Sequence, residues 1–165
     1  MIPTHRIAYN GERLVTLVGP HETVEDFRRP LSRLDGDDRY SLNLQTLPRP
    51  MWSEDLTDDD RLAMALEFLQ CAGSADALSI EVRMLVDGAS RLYTLGRPGD
   101  YTGDPSIRIP FQRGNHQLTV YPEEVFTADD AAELFFGYYR TRTIPTEMHL
   151  REIDLEAFTA EQSKD

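Results

Sequence analysis

The stretch from Phe126 to Leu150, FTADDAAELFFGYYRTRTIPTEMHL, constrains this chain more than any other, because it carries helix boundary signals together with a wide apolar face. Thr127 is placed as an N-cap whose hydroxyl accepts from the free amide of Asp130. Asp129 and Asp130 set negative charge at the positive end of the helix dipole. Phe126, just before the cap, can pack on Ala131 as a hydrophobic staple. Ala131, Leu134, Phe135 and Tyr138 then recur at spacings of three, one and three, a broad face that must be covered. Pro145 pushes its predecessor out of the helical region, so the spacing predicts a helix from Thr127 to Arg142, a turn, and a last strand, EMHLREI. The rest of the chain reads as sheet and loops gathered around that helix.

In RIAYNGERLVTLV, Asn10-Gly11 lies between two short apolar runs, a strong signal for a tight hairpin. Thr23, with Asp26 three residues on, can cap a helix carrying Val24, Phe27 and Leu31 on one face, and Pro30 makes it short or kinked. From Arg39, RYSLNLQTL alternates Leu42 and Leu44 with Asn43 and Gln45, the period of a half-buried strand. A helix is predicted from about Asp58 to Cys71, burying Leu62, Leu66 and Leu69 with Ala65 alongside and ending at Gly73-Ser74. A second hairpin turns at Asp87-Gly88, with Ile80, Val82, Met84 and Val86 on one face of a central strand. The run SIRIPF contains Pro110, which cannot donate to a ladder, so that strand belongs at an edge or ends there. Gly114-Asn115 then turns the chain into HQLTVYP. The fold class is α+β, a mainly antiparallel sheet with about three helices packed against it. Residues 1–158 are expected to form one globular domain and 159–165 a frayed polar tail.

At 165 residues with one cysteine, Cys71, the chain has no internal disulfide and no multi-cysteine zinc site. On its predicted apolar helix, Cys71 reads as a buried, inert thiol. No run of about 18 apolar residues and no signal-like N-terminus is present, which points to a cytoplasmic protein away from membranes. The formal net charge of -12 excludes a general nucleic-acid binder, which needs cations to displace counterions from phosphates. The stretch from Asp35 to Asp60 holds eight acidic and two basic residues and so carries half of that net charge. It reads either as a solvated acidic face or as a docking surface for a basic partner. Within it, LPRPMWSEDLTDDD is a long loop with two prolines and the only tryptophan, and loops of this length are often functional. Trp52 is either a core anchor or an exposed contact residue. The candidate partner-binding residues are Asp37, Asp38, Trp52, Glu54, Asp55, Asp58 and Asp59. Helix capping already accounts for part of the run Asp58 to Asp60.

Chemistry-bearing motifs are absent: there is no G-x-x-x-x-G-K-[ST], G-x-G-x-x-G after a strand, G-x-S-x-G or H-E-x-x-H. Gly96, Gly99 and Gly103 have turn spacing, not that of a phosphate loop. His5, His21, His116 and His149 are scattered, without a second ligand at metal spacing. Asp55, Asp58 and Asp60 fail as a calcium loop, for want of the glycine at position six and the glutamate at twelve. No catalytic residue, cofactor or metal is called for, and a binder is the more economical reading than an enzyme.

Val125, Thr127, Phe135, Phe136, Thr141, Pro145 and Met148 carry a further signal. In that C-terminal quarter the chain resembles the first immunity-protein family of bacterial polymorphic toxin systems, whose pattern runs from a capped helix ending in an aromatic pair through a basic turn to a proline and a last strand. The family's pattern commonly closes on tryptophan, where this chain has Leu150. The resemblance implies an immunity protein that binds a cognate toxin domain made by the same cell and occludes its active site without catalysis. An acidic inhibitor suits a toxin with a basic, nucleic-acid-handling surface. Two other readings stay open: an acidic adaptor or secretion chaperone, and a small-molecule-binding enzyme with a pocket drawing on His116, Tyr121 and His149.

Overall fold

In the structure, a computed structural model that describes residues 1–155, the first hairpin pairs β1 (His5–Tyr9) with β2 (Leu14–Val18). Its turn, the four residues between the paired Tyr9 and Leu14, sets Asn10 and Gly11 at positive φ. Helix α1 (Val24–Leu31) follows. The Asp26 carboxylate accepts from the Thr23 N–H at 2.7 Å, and Pro30 lies in the last turn. Then come β3 (Ser41–Thr46), α2 (Asp58–Met64), β4 (Phe68–Ser74), β5 (Ala77–Val86) and β6 (Ala89–Gly96). The hairpin of β7 (Ile107–Phe111) and β8 (His116–Val120) forms a separate two-stranded sheet, where Pro110 is accommodated. Helix α3 (Ala128–Thr141) and β9 (His149–Glu152) complete the described elements. The fold is α+β: three helices and a seven-stranded antiparallel sheet in the order β2-β1-β3-β4-β5-β6-β9, beside the small second sheet.

Strand alternation gives the large sheet two unlike faces. On the first, Ile7, Leu44, Leu69 and Val82 lie opposite one another on successive strands and join one core with α1 and α3. Phe27 of α1 meets the Tyr139 ring of α3 at 5.3 Å between centroids, and the Tyr139 hydroxyl donates to Gly19 O at 2.5 Å. Phe126, Leu134 and Phe135 are buried there as their spacing predicts, each fully buried side chain contributing roughly 1.5–3 kcal/mol relative to exposure. The limits of α3 agree with its sequence signals, but the stop is local. Arg142 adopts a left-handed conformation at φ 59° and donates its N–H to Tyr138 O, three residues before Pro145.

The second face carries a polar row, Asn43, Gln70, Glu81, Thr94 and Arg151, each opposite the next on adjacent strands. Part of it is roofed by the β7–β8 hairpin, where Ile109 packs so closely on Gly73 that a Cβ there would lie 2.9 Å from Ile109 Cγ2 and 2.3 Å from Ala77 O. Gly73 also has φ 125°, so glycine is required at this crossing.

The helix expected over 58–71 is corrected. It ends at Met64, and the chain turns through Leu66 and Glu67 into β4. Leu62 and Leu66 are 68% and 40% exposed instead of buried, while Leu69 and Cys71 enter the core from a strand. Pairing with β3 on one side and β5 on the other satisfies the β4 backbone and seats both side chains, which outweighs local helix preference. Gly73-Ser74 is therefore the end of a strand and not a helix stop. Cys71 keeps its buried, inert character, its thiol pushed up to about 12 by burial. The tail 159–165 and the last residues of the expected domain lie outside the described residues.

Candidate partner-binding surface

The loop from Leu47 to Thr57 is laid along the start of β1: Leu47 N–H donates to Thr4 O and Met51 N–H to Pro3 O, both at 3.0 Å. Leu47 and Met51 pack with Met64 of α2 in a small apolar cluster of their own, with Leu56 against it. With those side chains anchoring the loop from below, a 3-10 turn at Ser53–Asp55 projects the residues between them outward. Trp52 is 47% exposed, which decides against the core-anchor reading. Glu54 and Asp55 beside it are exposed and form no ion pair among the described residues.

Helix capping uses one of the three following aspartates. The Asp60 carboxylate accepts from the Thr57 N–H at 3.1 Å, the Thr57 hydroxyl accepts from the Asp60 N–H at 3.0 Å, and Arg49 lies 3.7 Å away. The Thr57 amide, ahead of Arg49, holds the Asp60 carboxyl below its ordinary range. Asp58 and Asp59 are exposed and unpaired among the described residues. Trp52, Glu54, Asp55, Asp58 and Asp59 thus belong to one short segment pinned at one end of the sheet.

Asp37 and Asp38 belong elsewhere. They lie in the turn before β3, at the opposite end of that strand from the loop, about 17 Å along a six-residue strand. Asp38 pairs with Arg113 of the β7–β8 turn, and its carbonyl accepts from Asn10 Nδ2 at 2.8 Å. Asp35 closes the same turn by accepting from the Asp37 and Arg39 amides. The acidic stretch is therefore two structures: a turn in which Asp35 and Asp38 are engaged locally, and a loop whose Glu54, Asp55, Asp58 and Asp59 carboxylates have no partner among the described residues.

The histidine and tyrosine set is divided as well. Tyr101 stacks on His149 at 3.7 Å between centroids and meets Tyr121 edge-on at 5.1 Å, whereas His116 stacks on Phe111 of the small sheet. Beside Tyr121, the fully buried Glu124 is held by Arg151. The buried Ser79 and the half-buried Glu81, polar side chains on β5, attract no notice in the sequence. Their signal is the polar alternation that places Asn43, Gln70 and Glu81 between apolar neighbours on their strands.

No protein-family model matches the chain, and no curated protein matches it by sequence. Among the described residues, no helix is long and apolar enough to cross a membrane.

Proposed function

We propose that this protein is a non-catalytic inhibitor, an immunity protein that binds a basic toxin domain through the loop around Trp52 and covers its active site. The observation that carries this reading is a half-exposed tryptophan within a pinned loop whose four neighbouring carboxylates, Glu54, Asp55, Asp58 and Asp59, have no partner among the described residues. Tryptophan supplies a large contact area at little entropic cost, and unpaired carboxylates around it steer a cationic surface into register. The net charge of -12 supports the same reading, as does the C-terminal resemblance.

Co-purification from the native cell at moderate salt, followed by identification of the partner, tests the class of function: a toxin domain is expected. Replacing Trp52, Glu54 and Asp55 together is expected to weaken binding at least tenfold while leaving the melting temperature unchanged. Undiminished affinity would remove the loop from the interface.

A further inference from the structure

Between the second face of the large sheet and the β7–β8 hairpin lies a cavity of about 270 Å³. Gln70, Ser79, Glu81 and Leu92 line it from the sheet, and Phe111 and Leu118 close it from the hairpin with hydrocarbon. Glu81 is unusual in this place. It lies in the middle of an internal strand, where a carboxylate is costly unless its oxygens are satisfied. Asn43 Nδ2 donates to Gln70 Oε1 at 3.1 Å and Gln70 Nε2 donates to Glu81 Oε1 at 2.7 Å, so the polar row converges on one oxygen of this group. The other oxygen has no partner among the described residues. Arg151, the one cation in the row, is committed with both arms to Glu124. Burial, opposed by the Gln70 hydrogen bond and the Arg151 charge, raises the Glu81 carboxyl above its ordinary range, as for an acid lacking its counter-ion.

Ser79 provides a second, independent sign. It lies two residues before Glu81, hence on the same face of β5; it is 1% exposed, and its Oγ has no hydrogen-bond partner among the described residues. Two groups able to accept, one of them acidic, thus line one wall of a cavity whose opposite wall is hydrocarbon. That combination matches a ligand with several N–H donors and a positive charge at one end and a compact apolar body at the other. Anions are disfavoured by Glu81 itself and by the negative field of the chain.

We propose that this cavity binds a small organic cation, a primary ammonium group on a compact apolar body, with Glu81 as its counter-ion and Ser79 as a further acceptor. The site is separate from the Trp52 loop and does not rest on the inhibitor reading.

Isothermal titration calorimetry of the full chain at neutral pH with phenethylammonium chloride tests it, with phenethyl alcohol as the uncharged counterpart. Saturable one-to-one binding of the ammonium compound is expected, at least tenfold tighter than the alcohol and at least tenfold weaker in Glu81→Gln. Absence of saturable binding, or equal binding of the alcohol, overturns the proposal. Leu118→Trp fills the cavity from the hairpin side without altering Glu81 and must also abolish binding. Binding that survives this substitution places the ligand elsewhere and overturns the assignment even if Glu81→Gln fails to fold.

Discussion

Glu124 is wholly buried, and Arg151 holds it two-armed, Nε on Oε2 and Nη2 on Oε1, each at 2.9 Å. The Tyr121 N–H adds a third donor to Oε1 at 2.8 Å. The pair fastens β9, the last strand, to the segment leading into α3. Removing the guanidinium strands a buried charge, which costs more than the pair contributes. Arg151→Ala is expected to lower the unfolding free energy by about 3 kcal/mol. Urea denaturation measures it, and a loss below about 1 kcal/mol would mean that the pair does not fasten the strand.

His5 on β1 gives acid sensitivity with a defined sign. Its ring lies 4.4 Å from that of Tyr139, and Thr4 Oγ1 is 2.7 Å from Nδ1. Burial, opposed by the Tyr139 backbone and aided by the Arg142 charge, lowers its pKa from 6.5 to about 4. Between these values the unfolded chain takes up a proton that the native chain refuses. The stabilising contribution is therefore complete above pH 6.5 and is lost as the pH falls toward 4, at a slope approaching ~1.4 kcal/mol per pH unit. In His5→Asn, the dependence of unfolding free energy on pH in this window is expected to flatten; an unchanged slope would assign it to other groups.

Cys71 is buried on β4 and its thiol is pushed up to about 12. A thiol reagent at neutral pH is expected to label it only when the sheet opens, because the thiolate is the reactive form and the native state withholds it. Labelling should therefore track unfolding across a urea series. Rapid modification of the native protein would contradict its position in the core.

The two ends of β3 are expected to behave differently toward a basic partner. At about 17 Å along the strand they are separated by more than the ~8 Å screening length of physiological salt. Charge reversal at Glu54 and Asp55 should reduce the association rate severalfold, whereas reversal at Asp37 should leave it within about twofold. Stopped-flow association at two salt concentrations distinguishes them.

The parts of this fold legible in the sequence are those dictated by local chemistry. Asn10-Gly11 and Asp87-Gly88 mark their hairpins because both residues of each pair take positive φ, the second pair forming a whole two-residue turn and the first opening a four-residue one. Thr127 and the apolar spacing mark α3 because cap and face lie within one segment. Residues 58–71 mislead because Leu62, Leu66 and Leu69 have helical spacing, while the choice between helix and strand is made by β3 and β5, which are distant in sequence. The loop around Trp52 is visible as an acidic, proline-bearing stretch, but its separation from Asp37 and Asp38 depends on the length of a strand between them. The Glu81 cavity is hardest to read: it exists only where β5 meets a hairpin some 30 residues later in the chain.

The strand order also implies a sequence of events in time. Pairings among β1 to β6 close shorter connections, the longest joining Tyr9 to Leu42, whereas β9 returns to β6 only after residues 97–148 have been laid out. Loop-closure entropy makes that contact a late one, so the Glu124–Arg151 grip should be absent from the rate-limiting step of folding. Weakening it is then expected to steepen the loss of protein by accelerating unfolding, with the refolding limb of a chevron unchanged. A slower refolding limb would instead place β9 in the nucleus. The grip acts as a latch on an assembled sheet, governing how long the native state lasts and leaving the rate at which it forms to the strands made before it.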